Sequence, residues 1–69
     1  MADDIDARIG RNLRAMRMDA ALTVDALATR TGLQPAVLAL YEAGRRHMPV
    51  EVLTQLAAAL DRPIADFFG

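Results

Sequence analysis

Proline and glycine interrupt this chain so regularly that only short elements fit between the breaks. The marks are Gly32, Pro35, Gly44, Pro49 and Pro63. Between them apolar residues return every third or fourth position, the period of a helix buried along one face. No stretch alternates apolar and polar residues, so no strand is expected. The first helix reads over 5–20, with Ile5, Ile9, Leu13, Met16 and Ala20 as its stripe. Thr23 is a good N-cap for a second helix over 24–30, with Asp25 in its first turn and Val24, Leu27 and Ala28 facing inward. Gly32 ends it. Pro35 suits the first position of a third helix, where its missing N–H would be unpaired in any case. That helix runs to Ala43 and stops at Gly44. Pro49 starts a fourth, striped by Val52, Leu53, Leu56, Ala57 and Leu60, and Pro63 opens a final turn over 64–68. The expected architecture is an all-α, five-helix bundle.

Sixty-nine residues make a single domain, 1–69, with a short acidic lead at 1–4. A core this small is near the lower limit for independent folding, so pairing with a second copy would add useful burial. The hydrophobic share of 54% is too high for a disordered chain. There is no cysteine, hence no disulfide framework and no thiolate site. No apolar run approaches the ~20 residues of a membrane span. The first residues lack the basic character of a secretory signal. A cytoplasmic protein is the expectation.

Charge gives a mixed message. The net charge is −1, whereas nucleic-acid binders usually carry a basic excess. All eight basic residues are nevertheless arginine, and their positions matter more than the sum. Arg8, Arg11 and Arg14 lie off the apolar stripe of the first helix and read as a solvated face. Arg17 falls at the stripe's edge, about 60–80° from its centre. Arg45 and Arg46 follow the third helix in a loop with His47. A lone histidine offers neither a metal site nor a catalytic pair.

A short helix, a turn containing glycine and a second short helix form the spacing of a helix-turn-helix, here about 23–44. Several stretches extend that likeness: Ile9-Gly10-Arg11-Asn12-Leu13-Arg14; Leu22 to Ala28; Thr31-Gly32-Leu33; Leu38 with Tyr41-Glu42-Ala43-Gly44-Arg45-Arg46 and Pro49; and Leu56 to Leu60 with Ile64 and Phe67-Phe68. In that order the chain resembles the lambda repressor and Cro type of helix-turn-helix regulator, the XRE family. The resemblance implies a DNA-binding transcription regulator, a dimeric repressor or controller-type protein on a palindromic operator. It pairs Arg17 with Glu42 as a structural link. It sets Thr23, Arg45 and Arg46 against phosphates, and it gives base reading to Gln34, Pro35, Ala36 and Leu40 with Val37 beside them. It also makes the C-terminal segment, about 61–69, the contact with a second copy through Ile64, Phe67 and Phe68. Both phenylalanines have an alternative use as caps on the domain's own core.

The third helix departs from the family's habit. Leu38 and Tyr41 point inward on the helical wheel, which leaves Ala36, Ala39, Leu40 and Ala43 outward. Members commonly carry Gln, Arg, Ser or Thr at several base-reading positions, and a glutamine where Val24 stands. Only Gln34 offers the amide suited to adenine. Two readings follow. Small apolar side chains can pack on thymine methyls, with DNA shape supplementing them. Alternatively the apolar face binds a protein, as in an antitoxin or anti-activator module. An enzyme is not expected: the acids are scattered, and no nucleophile–base set, phosphate loop or metal cluster is present. No cofactor is called for.

Overall fold

The computed structural model describes residues 4–69; most of the acidic lead at 1–4 lies outside the described residues. Four α-helices follow in order: α1 (Ile5–Asp19), α2 (Val24–Thr31), α3 (Pro35–Glu42) and α4 (Val50–Leu60). A single 3-10 turn (Ile64–Phe67) closes the chain. No strand occurs among the described residues. The expected fifth helix is thus corrected to one turn. Its bonds run from Asp66 N–H to the Pro63 carbonyl and from Phe68 N–H to the Ala65 carbonyl. The carbonyls of Phe67 and Phe68 are taken instead by α1, through Asn12 Nδ2 at 2.8 Å and Arg8 Nη2 at 3.0 Å.

Local chemistry sets the other boundaries. Asp4 caps α1 by accepting from the Asp6 amide, and Thr23 Oγ1 caps α2 by accepting from Ala26 N–H at 3.0 Å. Pro49 stands one residue ahead of α4, not inside it, and its carbonyl receives the Val52 and Leu53 amides. The ends of α1, α3 and α4 share one device. A residue with positive φ turns the chain, and the next amide reaches back five residues to a helix carbonyl. That residue is Gly44 after α3, but Ala21 (φ 59°) after α1 and Asp61 (φ 55°) after α4. A residue with a Cβ is disfavoured in that conformation by ~1–2 kcal/mol. Glycine would relieve this, though part of the gain is cancelled because it also loosens the unfolded chain. Ala21→Gly is therefore expected to stabilise the fold by ~0.5–1 kcal/mol, read as a Tm raised by a few degrees.

The core gathers one stripe from each helix: Ile9, Leu13 and Met16 from α1, Leu27 and Ala28 from α2, Leu38 and Tyr41 from α3, and Leu53, Leu56, Ala57 and Leu60 from α4. The ends of the α1 stripe fall outside it, since Ile5 and Ala20 are exposed. Met48 is buried although it sits in the basic loop. Thr31 is also buried; its hydroxyl donates back to α2 carbonyls, and its own carbonyl accepts from Gln55 of α4 at 2.5 Å. The helix-turn-helix is thereby tied to α4 at its turn.

Phe67 corrects a sequence expectation. Its ring is fully buried at 0% exposure inside the domain's own core, so it has no surface to offer a second copy. Ile64 and Phe68 remain 39% and 40% exposed. Phe67 takes the core position and Phe68 is left outward because neighbours on a tight turn cannot face the same way.

Candidate nucleic-acid interface

The position of α3 is set from behind by α1. At Gly10 the α1 backbone passes so close that a Cβ would strike the Tyr41 carbonyl oxygen and stand 2.8 Å from that of Glu42. At Gly44 a Cβ would lie 2.6 Å from the Ala7 Cα, and φ is +73° besides. Glycine at both places lets the end of α3 rest directly on α1.

Beside these contacts, Arg17 and Glu42 meet in a two-pronged ion pair. Arg17 Nε donates to Glu42 Oε2 at 2.6 Å and Nη2 to Oε1 at 3.0 Å. The remaining Nη1 donates to the Leu22 carbonyl at 2.8 Å. The two side chains are only 13% and 9% exposed. Hydrogen bonding to Glu42 raises the arginine's proton affinity, burial opposes it, and the glutamate's charge adds to the rise. One guanidinium therefore joins α1, the end of α3 and the turn that leads into α2. Planar fork geometry makes arginine suited to such a link, and lysine could not replace it.

The opposite side of α3 faces solvent. Leu38 and Tyr41 are buried; Ala36, Ala39, Leu40 and Ala43 are exposed, and Val37 is half-buried against the core. Gln34 and Pro35 are exposed at the start of the helix, and the Gln34 amide makes no capping hydrogen bond. Arg45 and Arg46 follow the helix, exposed and with no carboxylate within 4 Å among the described residues. His47, next in line, contacts Asp6 of α1 through Nδ1 at 3.0 Å.

Thr23 stands exposed at the start of α2. Because its oxygen accepts from Ala26, the hydroxyl proton stays free for an anion, alongside the unpaired first amides of the helix. Asp25 in the same turn works against that attraction. Four polar fasteners escape a reading of the sequence: Arg8, Asn12, Thr31 and Gln55. Each bonds to a backbone carbonyl far along the chain or within its own turn, and no local pattern marks such a bond. Among the described residues no pocket opens and no group of His, Asp or Glu is placed to hold a metal ion.

Helices, turn and outward face together define a helix-turn-helix domain. The family model described as "Helix-turn-helix domain" matches residues 8–67. Among solved structures, the clp gene regulator ClgR from C. glutamicum superposes with a TM-score of 0.91 at 29% identity, over 96% of this chain and 86% of that one. The restriction-modification controller protein C.AhdI from Aeromonas hydrophila gives 0.88 at 28% identity, over 91% and 96% of the two chains. The DNA-binding domain of BldD matches over the full length of both chains with a TM-score of 0.88; at 24% identity it speaks for the fold alone. No protein with a curated description matches the chain. The chain belongs to the helix-turn-helix family of XRE type, a class of DNA-binding transcription regulators and not of enzymes.

Proposed function

We propose that this protein is a sequence-selective DNA-binding regulator that acts as a homodimer on a palindromic operator. The observation that carries the reading is the outward face of α3, exposed over Ala36, Ala39 and Leu40 and followed at once by the exposed Arg45 and Arg46. In this arrangement α3 lies in the major groove and reads bases with Gln34, Pro35, Ala36, Val37, Ala39 and Leu40. Thr23 and the start of α2 meet one phosphate, and Arg45 and Arg46 meet others. The Arg17–Glu42 pair holds α3 at the angle this requires. Support comes also from neighbours whose names make them a gene regulator and a controller protein. No helix among the described residues is long and apolar enough to cross a membrane. The apolar character of the α3 face favours a second reading, in which it receives a protein partner instead.

The test is binding-site selection from a random duplex pool, followed by gel shifts over a range of salt. Arg45→Ala and Arg46→Ala should each weaken binding to all sequences. Each should also lower the salt slope by about one per subunit for every phosphate no longer neutralised. An affinity and a slope untouched by both changes would move the phosphate-binding groups elsewhere.

Dimerisation rests on Ile64 and Phe68, four positions apart on a terminal turn that Arg8 and Asn12 pin to α1. A C2 pair would cover both side chains and set two α3 helices about 34 Å apart for successive major grooves. Phe68→Ala should shift sedimentation from dimer toward monomer while the fold melts cooperatively. Phe67→Ala should instead destabilise each protomer by ~3–5 kcal/mol, because it empties the core. A parent that stays monomeric at all accessible concentrations would contradict the dimer.

A further inference from the structure

Three outward residues of α3, Ala36, Ala39 and Leu40, and Ala43 directly after it carry purely aliphatic side chains. On a helical wheel all four lie within about 50° of the direction opposite the buried Leu38 and Tyr41. No hydroxyl, amide or charge interrupts them, so this part of the helix can neither donate nor accept. We infer that α3 reads C5-methyl groups of pyrimidines, those of thymine and equally of 5-methylcytosine. The inference rests on the DNA-binding reading above and specifies what that interface recognises.

The chemistry of the major groove supplies the reason. Every base pair presents hydrogen-bonding atoms there, but thymine alone among the four standard bases adds a methyl group, at C5. An apolar face laid against either pair strips water without supplying new hydrogen bonds, from guanine O6 and N7 and the cytosine amino group in G·C, and from adenine N7, the adenine amino group and thymine O4 in A·T. Laid against thymine, the same face gains methyl-to-methyl burial. The desolvation cost is similar for the two kinds of pair, so discrimination arises from the methyl group that the face buries. A methyl at C5 of cytosine occupies the same place in the groove as that of thymine, so the face meets the same apolar surface. Nucleic acid, not an apolar protein surface, is the fitting occupant. Exposed Arg45 and Arg46 border the face immediately beyond Gly44 without carboxylate partners among the described residues, and a polyanion complements them. Small side chains also allow the α3 backbone to approach the bases closely, which brings Leu40, the longest of the four, into reach of a single methyl.

The probe is a duplex enriched by the protein from a random pool. It is resynthesised with deoxyuridine in place of thymidine, one symmetric pair of positions at a time, which removes a methyl and leaves pairing intact. At one or two positions in each half-site the affinity should fall about fourfold per methyl, the equivalent of ~0.8 kcal/mol. Both halves together then give roughly fifteenfold. At those same positions, opposite guanine, 5-methylcytosine should bind more tightly than cytosine by a similar factor. Leu40→Ala should bring the thymine-to-uracil affinity ratio toward one at a single position. Equal affinity for thymine and uracil duplexes at every position would overturn the inference and leave DNA binding standing. Failure to enrich or bind any duplex would overturn the DNA-binding reading and this inference with it.

Discussion

Arg17→Met is expected to destabilise the domain by ~3 kcal/mol, and Glu42→Leu by a similar amount. The loss comes less from the missing attraction than from the charge left behind. With Glu42 alone, a carboxylate only 9% exposed loses both donors and cannot regain water without moving the end of α3. With Arg17 alone, the guanidinium keeps the Leu22 carbonyl but faces the space where Glu42 stood. For a domain of this size ~3 kcal/mol corresponds to ~12–24 °C in Tm. The double substitution removes both charges and puts two apolar side chains in partly buried positions. It should therefore cost no more than either single substitution, ~3 kcal/mol and not the ~6 kcal/mol of their sum, a coupling of ~3 kcal/mol in a double-mutant cycle. Thermal melts of the four proteins measure it. Strict additivity would mean that the pair contributes no interaction of its own. Because the same guanidinium touches the turn before α2, Arg17→Met should also reduce DNA affinity in the fraction that remains folded.

Much of this architecture was legible because helix stripes and caps are local. Pro35, Gly32, Thr23 and Gly44 announce their roles within a turn of their own positions, and the wheel drawn through Leu38 and Tyr41 is enough to turn Ala36 and Leu40 outward. Arg17 showed its position at the edge of a stripe, while its pairing with Glu42 came from the family resemblance. Its third bond, to the Leu22 carbonyl, depends on how the chain leaves α1 through Ala21 in a left-handed conformation. Alanine does not advertise that conformation. Tertiary placement explains the remaining gaps. Met48 belongs to a basic loop by sequence, yet the loop dips into the core just before Pro49. Phe67 and Phe68 are equivalent on paper; the pinning of their carbonyls by Asn12 and Arg8 decides which ring goes inside. Gly10 matched a family pattern, but only the crossing of α1 over the end of α3 reveals why a Cβ there is excluded.

The central claim, that α3 presents its exposed face to DNA, is tested most directly by Ala36→Glu in a gel shift on the enriched duplex. Position 36 is exposed, one residue into the helix after Pro35, so glutamate there meets no core side chain. Near the helix start its charge even complements the dipole. Circular dichroism and melting temperature should stay close to those of the parent. In the complex the carboxylate would enter the major groove between two phosphate backbones, desolvated and opposed by like charge. One such group per subunit should weaken binding by about a hundredfold or more, at ~1.5–3 kcal/mol for each like-charged, desolvated carboxylate. The expected result is a folded protein that no longer shifts the duplex. A folded Ala36→Glu protein that binds as tightly as the parent would contradict the claim and place the DNA-reading surface outside α3.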